Sequence, residues 1–210
     1  MKLDGIKVVS WDVDGTLYSL PALMTGFKLH LIRGFFSLRW LETWRDFFRI
    51  LRFKRFMDKV RHAKGDYAIN GPVPGREGIA ETQTRMYSAV LPGIGLLAGV
   101  KDLLEWLKAK QIRQVVLSDY RPTGKLKALQ VDHYFDGIYT GEGAGHLKPS
   151  PAVFRAMLDD LGIPPEALLH IGDRPDTDGA AAEEVGYRVA IIGRDFQTAA
   201  DLLDALSAES

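Results

Sequence analysis

No cysteine occurs anywhere in the 210 residues. That absence excludes disulfides, thiolate metal sites and cysteine nucleophiles, and it is compatible with a reducing cytoplasm. Long hydrophobic runs are missing too: no uninterrupted apolar stretch approaches the ~18 residues that a membrane-spanning helix needs. Met1-Lys2-Leu3-Asp4-Gly5 runs directly into a strand pattern with no apolar stretch and cleavage site, so no export signal is expected. Net charge is absent as well, because 27 basic side chains balance 27 acidic ones. Overall charge therefore points to no particular partner, and a soluble, cytoplasmic protein is the expectation. The five histidines show no metal-ligand spacing with one another and are read as structural or surface groups.

The distribution of charge says more than its sum. Between Tyr18 and Pro92 there are thirteen basic residues against six acidic ones, a net charge of +7 that the rest of the chain offsets with −7. An acidic body carrying a basic insert needs a reason.

Short apolar runs bounded by turn residues recur at Ile6 to Asp12, Gln114 to Ser118, Gly137 to Thr140, Leu168 to Gly172 and Arg188 to Ile192. Their near-continuous hydrophobicity suits strands covered on both faces. Helical patterns separate them: Val100 to Lys110, Ala152 to Leu161, Asp178 to Val185 and Thr198 to Leu206. Alternating strands and helices predict an α/β fold with a doubly wound, Rossmann-like parallel sheet and right-handed crossovers. One interval breaks the alternation, since Tyr18 to Leu91 reads as helix with no strand signal. The expected organisation is thus a core of residues 1–17 and 92–210 with an α-helical insertion at 18–91. Within the insertion, Trp40, Leu41, Trp44, Phe47, Phe48 and Leu51 follow helical spacing, with Arg45, Arg49 and Arg52 on an adjacent stripe. That spacing predicts a helix that buries its aromatic face and presents cations beside it. Lys64 to Gly78, rich in Gly and Pro, reads as a loop before a returning helix near Ile79 to Val90.

The chemistry is concentrated in Asp12-Val13-Asp14-Gly15-Thr16-Leu17, directly after the first strand pattern. Ligands of open α/β sheets bind at the carboxyl edge, where this strand ends. Asp12 and Asp14 leave an extended backbone on the same side because strand periodicity is two. Like charges this close raise each other's pKa unless a cation sits between them or one keeps its proton. Three further features fall at later strand ends: Ser118, the Lys148-Pro149 pair in the loop after Thr140, and Gly172-Asp173 with Asp178 five residues on. A hydroxyl, a lysine and extra carboxylates converging on a paired-carboxylate strand end outline a phosphate and metal site. Each residue also has an ordinary reading: Lys148 as a lysine before a helix-starting proline, Asp173 and Asp178 as helix caps, and Ser118 as a strand-end hydroxyl.

In order and spacing these residues resemble the four motifs of the haloacid dehalogenase superfamily, most of whose members are magnesium-dependent phosphatases. The resemblance extends over the start of the chain and from Leu91 to Gly193, including Leu91-Pro92-Gly93, which in this family resumes the core after a helical cap. It implies hydrolysis of a small organic phosphate monoester through an aspartyl-phosphate intermediate. Asp12 would be the nucleophile, and Asp14 the acid for the leaving alcohol and then the base for water. Ser118 and Lys148 would hold phosphoryl oxygens. Mg2+ would be bound by Asp12, the backbone carbonyl of Asp14 and Asp173, with Asp178 orienting Lys148 or a metal-bound water. Asp119 stands where many relatives have asparagine; as a carboxylate near phosphate it must point away or pair with a cation such as Arg121 or Lys125.

Asp14 disfavours a dehalogenase, which needs no acid on its leaving group. A phosphomutase or a phosphonatase remains an alternative. A different class of reading makes Phe27 to Val60, rich in Phe, Trp and Arg, a membrane- or nucleic-acid-binding surface. The preferred expectation is a helical lid over a small phosphorylated metabolite, with no nucleic acid partner.

Overall fold

The computed structural model describes residues 3–36, 40–62, 67–69 and 78–208. Five parallel strands form one sheet: β1 (Val8–Trp11), β2 (Arg113–Ser118), β3 (Gly137–Thr140), β4 (Leu168–Gly172) and β5 (Arg188–Ile191), in spatial order β3-β2-β1-β4-β5. β1 is central, and every one of its residues is buried. Ser10 lies opposite Val115 on one side and His170 on the other.

Helices cover both faces, which is why the strands are mainly apolar. Val9 and Trp11 share one apolar cluster with Leu103, Leu104 and Leu107, whereas Val8 belongs to another with Leu117, Phe154 and Met157. The first cluster includes α4 (Val100–Ala109) and the second α7 (Pro151–Leu161). Val100, Leu103, Leu104 and Leu107 are the buried residues of α4, at the i, i+3, i+4, i+7 spacing of an amphipathic helix. α7 begins on Pro151 and stops at the left-handed Gly162. α9 (Ala199–Ser207) starts in a capping box in which Thr198 and Asp201 satisfy each other's backbone amides. The remaining core helices are the short α5 (Thr123–Ala128), α6 (Gly141–Ala144) and α8 (Ala182–Val185). The helix expected over Asp178 to Val185 is shorter than its pattern. Asp178 sits instead in a wide turn, Pro175–Gly179, because its carboxylate accepts the Arg174 amide and draws the chain back at 3.1 Å.

Between β1 and α4 stand three helices: α1 (Leu20–Phe35), α2 (Trp40–His62) and α3 (Ile79–Val90). α1 is capped by the Ser19 hydroxyl. Arg85 on α3 grips the buried Asp46 of α2 through two hydrogen bonds of 3.0 and 3.1 Å. The aromatic face expected to be buried on α2 is not. Trp40, Leu41 and Phe48 are exposed, and the buried stripe is Asp46, Ile50, Phe53 and Met57. The reason is that the helix continues eleven residues past Leu51. Its second half is the part that seats on the core, where Phe53 meets the Tyr120 ring edge-on at 5.3 Å. A helix shows its neighbours one face along its whole length, so this seat fixes the phase of the first half too.

The expected loop from Lys64 to Gly78 lies outside the described residues apart from Tyr67–Ile69 and Gly78. There Leu147 N donates to Tyr67 O at 2.9 Å and Ile69 N to Gly145 O at 2.8 Å, tying the insertion to the segment that leads into Lys148. Phe53→Ala should lower unfolding stability by about 3–5 kcal/mol, as truncation of a buried phenylalanine does. Urea denaturation followed by circular dichroism reads this, and a loss under about 1 kcal/mol would show that α2 is not seated there.

Candidate active site

The parallel sheet brings the ends of β1, β2 and β4 to one edge, and four distant segments meet there. Asp12 continues β1, its amide bonded to Ile171 O of β4 at 2.8 Å. Ser118 ends β2, Asp173 and Asp178 follow β4, and Lys148 arrives from the loop after β3. The Lys148 ammonium lies 2.5 Å from Asp12 Oδ1 and 2.6 Å from Asp178 Oδ1, with all three side chains buried. All the residues expected from sequence therefore share one cavity of about 210 Å³, with Asp14 at its wall.

Backbone approach makes the cavity tight. Gly15 has φ of +98°, and a Cβ there would fall 2.1 Å from Asp173 Oδ2. Gly172 is equally constrained, since its Cβ would meet the Asp178 carboxylate at 2.5 Å. Any larger residue at either position would push a carboxylate out of place.

Asp12, Asp173 and Asp178 each offer an oxygen, and these oxygens lie within 4.8 Å of one another. Burial raises Asp12 to about 7, with Asp178 and Asp14 adding to the rise against the pull of Lys148. Burial together with Asp178 raises Asp173 to about 6. Asp178 is held below its usual range: burial opposes its charge, but Lys148 and hydrogen bonds from Lys148 and His170 win. With all three carboxylates ionised and Lys148 charged, the cluster carries a net charge of −2. A divalent hard cation suits an all-oxygen set of this charge. The residues present thus fit magnesium.

Asp14 is poised differently. Its carboxylate takes both oxygens to Lys125, at 2.5 and 2.6 Å, and accepts the Tyr18 hydroxyl. Burial would raise its pKa, but the Lys125 charge and these hydrogen bonds lower it overall. The Asp14 carboxylate therefore points outside the three-acid cluster, and its expected metal contact rests on its backbone carbonyl.

Asp119 pairs with neither Arg121 nor Lys125. It accepts Arg61 Nη2 from α2 and, at 2.9 Å, the backbone amide of Lys148. The expectation fails because Lys125 is already committed to Asp14, whereas α2 runs across the mouth of the cavity. Lys54, Asp58 and Arg61 of α2 line it from that side. His170 is buried below, bonded to Ser10 at 2.8 Å and within 3.3 Å of Asp178, and burial lowers its pKa. That is the structural role expected of it.

A profile for haloacid dehalogenase-like hydrolases matches residues 6–186. The chain belongs to that family. A glyceraldehyde 3-phosphate phosphatase of Methanopyrus kandleri is 36% identical over 202 residues, covering 90% of this chain and 84% of the relative. A phosphoglycolate phosphatase of Rhodospirillum rubrum is 35% identical over 107 residues, but the match spans only 49% of this chain and 43% of that protein. Several other curated relatives are matched over about two fifths of their length. Among solved structures, CbbY of Rhodobacter sphaeroides in complex with phosphate superposes with a TM-score of 0.58 at 25% identity, over 89% of this chain and 85% of that one. A phosphatase of the same family from Thermococcus onnurineus reaches 0.64 at 19% identity, over 95% and 97%, and shares the fold.

Sequence reading of this haloacid dehalogenase-like chain missed Tyr18, Lys54 and Arg61, and it offered Lys125 to Asp119 rather than to Asp14. None has a motif to mark it, and each reaches the site only through packing of the insertion or of α5.

Protons and a divalent ion compete for Asp12 and Asp173. As pH falls through about 7 and then about 6, each protonated carboxyl leaves the ligand set. Magnesium should therefore raise the thermal midpoint above pH about 8 and fail to do so below pH about 5, affinity falling about tenfold per pH unit for each proton displaced. Without metal the sign reverses: pKa values raised on folding stabilise the protein at low pH, and that contribution fades as pH climbs through about 7. Differential scanning fluorimetry with and without magnesium tests both. An equal shift at the two pH extremes would remove these carboxylates from the metal site.

Proposed function

We propose that the protein is a magnesium-dependent phosphatase acting on a small organic phosphate monoester. The observation that carries this reading is the placement of Lys148 between Asp12 and Asp178, with Asp173 and Ser118 on the same cavity. An Asp12 oxygen attacks phosphorus in line, the bond from phosphorus to the ester oxygen breaks, and an aspartyl phosphate forms. Water then attacks that phosphorus, releasing inorganic phosphate and restoring Asp12. Ser118 and Lys148 hold phosphoryl oxygens, where donors strengthen as charge shifts in the transition state. Asp12, Asp173 and the Asp14 carbonyl are assigned to the metal, with Asp178 steering Lys148. The ion supplies a positive charge that lets an anionic nucleophile approach an anionic phosphate.

Asp14 protonates the leaving oxygen and then takes a proton from water. The Lys125 pair keeps it ionised at rest, so the first of these roles requires that pair to loosen as substrate enters. Residues 18–91 act as a lid that excludes water from the intermediate. On the lid side, Arg61 Nε is buried with no hydrogen-bond partner among the described residues, and Lys54 lies beside it on the cavity. These cations support a substrate with a second anionic group, as in a phosphorylated acid or a bisphosphate. The same +7 insertion thus gains a purpose at one end. A cytoplasmic location fits a metabolite substrate, and among the described residues no helix is long and apolar enough to cross a membrane.

Asp12→Asn should lower kcat by a factor on the order of 10^4 or more while the fold persists, because the nucleophile is gone. Removing divalent metal with a chelator should do the same, reversibly. Turnover of phosphorylated metabolites, with circular dichroism as the fold control, decides it; metal-independent hydrolysis would overturn the mechanism. Lys125→Met should move the pH–rate profile to higher pH, since only the Tyr18 hydroxyl and the Lys54 charge then oppose the effect of burial on Asp14. An unchanged profile would dissociate Lys125 from Asp14's chemistry.

A further inference from the structure

The aromatic side chains that α2 leaves unburied join a second set on α1. Ile32, Phe35 and Phe36 near the end of α1 are 57%, 61% and 83% exposed, and Leu41 and Phe48 of α2 are 64% and 57% exposed. Phe35 packs edge-on against Phe36 at 5.4 Å and near Trp40 at 6.5 Å, so these rings form one continuous surface. Beside them lies an open hollow of about 480 Å³ whose lining is apolar apart from Lys28 at its margin. Leu31, Phe35 and Trp44 contribute to its walls. An apolar surface of this extent on a soluble domain marks an interaction site.

Cations surround it. Lys28 is exposed on α1, which has no acidic residue, and Arg45, Arg52, Arg55 and Lys59 are exposed along α2. Of the acids on α2, Asp46 is buried against Arg85, Asp58 faces the catalytic cavity, and Glu42 lines a separate hollow with Asp46 and Arg85. The exposed stripe of α2 reads Leu41, Arg45, Phe48, Arg52, Arg55 and Lys59 at helical spacing, apolar and cationic groups alternating at first and cations alone following. Such a face is poorly matched to a second copy of itself, because the cations of the two copies would be brought together in a low-dielectric contact.

We propose that the outer face of the α1–α2 hairpin is a docking surface for a bilayer rich in anionic phospholipids. Aromatic rings insert at the level of the headgroups, the hollow takes an acyl chain, and Lys28 with the arginines meets lipid phosphates. At 3.6 residues per turn, Leu41, Phe48, Arg52 and Arg55 lie on a different face of α2 from Lys54, Asp58 and Arg61, which line the catalytic cavity. Binding therefore leaves the cavity open to solvent. The surface is independent of the phosphatase reading, since no residue of the proposed catalytic set takes part in it.

The test is flotation of the purified full chain with vesicles of phosphatidylcholine alone and of phosphatidylcholine with phosphatidylglycerol. The expected result is binding to the second kind only, weakened as salt rises, with a blue shift in tryptophan emission. The double variant F36S and L41S should reduce vesicle binding at least about tenfold with an unchanged thermal midpoint, because both side chains are solvent-exposed. R52E with R55E should lose the preference for anionic vesicles. Absence of binding would overturn the proposal, and so would equal binding to neutral vesicles. A salt-resistant dimer dissolved by F36S and L41S, with no vesicle binding, would overturn it in favour of a second copy.

Discussion

The buried Lys148 ammonium between two carboxylates is the contact on which the rest of the site depends. Three acids gathered within 4.8 Å would repel one another and resist burial, and a single cation makes the arrangement tenable. Lys148 also divides the labour among them. Asp178, with Lys148, His170 and the Arg174 amide as partners, is saturated and stays ionised. Asp12 has only part of Lys148, and Asp173 has no paired cation among the described residues, so both keep raised pKa values and capacity for a further positive charge. Removing Lys148 would leave buried charges unpaired, which is costlier than never having formed the pair.

The second pair, Lys125 with Asp14, performs the opposite service for a carboxylate two residues from Asp12. One strand end thus carries two acids with pKa values pushed apart, the pattern by which neighbouring carboxyl groups take different roles. The backbone makes this possible, since alternate residues of an extended chain project together, whereas the cations come from different elements. α3 contributes as well: the Lys125 ammonium stands 4.8 Å from the Tyr87 ring centre, so the insertion helps hold the partner of Asp14. Arg61 and Asp119 provide another such link, joining α2 to the amide of Lys148. Movement of the inserted helices would therefore be felt at both the Asp14 and the Lys148 end of the site.

The insertion itself has two faces with different physics. Its inward residues Phe53 and Met57 pack on the core, and its cavity-facing cations sit where an anion is expected. The outer aromatic and basic surface satisfies neither need. A single basic segment thus carries two distinct charge patterns, one lining a cavity and one spread over exposed rings.

The five strands, the parallel sheet, and the convergence of Asp12, Ser118, Lys148, Asp173 and Asp178 on one edge were legible in the chain because each follows from local periodicity plus the rule that parallel strands end at one edge. The phase of α2 was not, since Trp40 to Leu51 offers a plausible apolar stripe of its own and only the seat of Phe53 on Tyr120 selects another. Nor were the cation partners of Asp14 and Asp119, which lie 111 and 58 residues away in sequence. The amino-acid sequence determined which acids stand at the sheet edge, by alternation along a strand. Tertiary packing alone decided which cation each acid meets, because charge pairing depends on distances that no local pattern encodes.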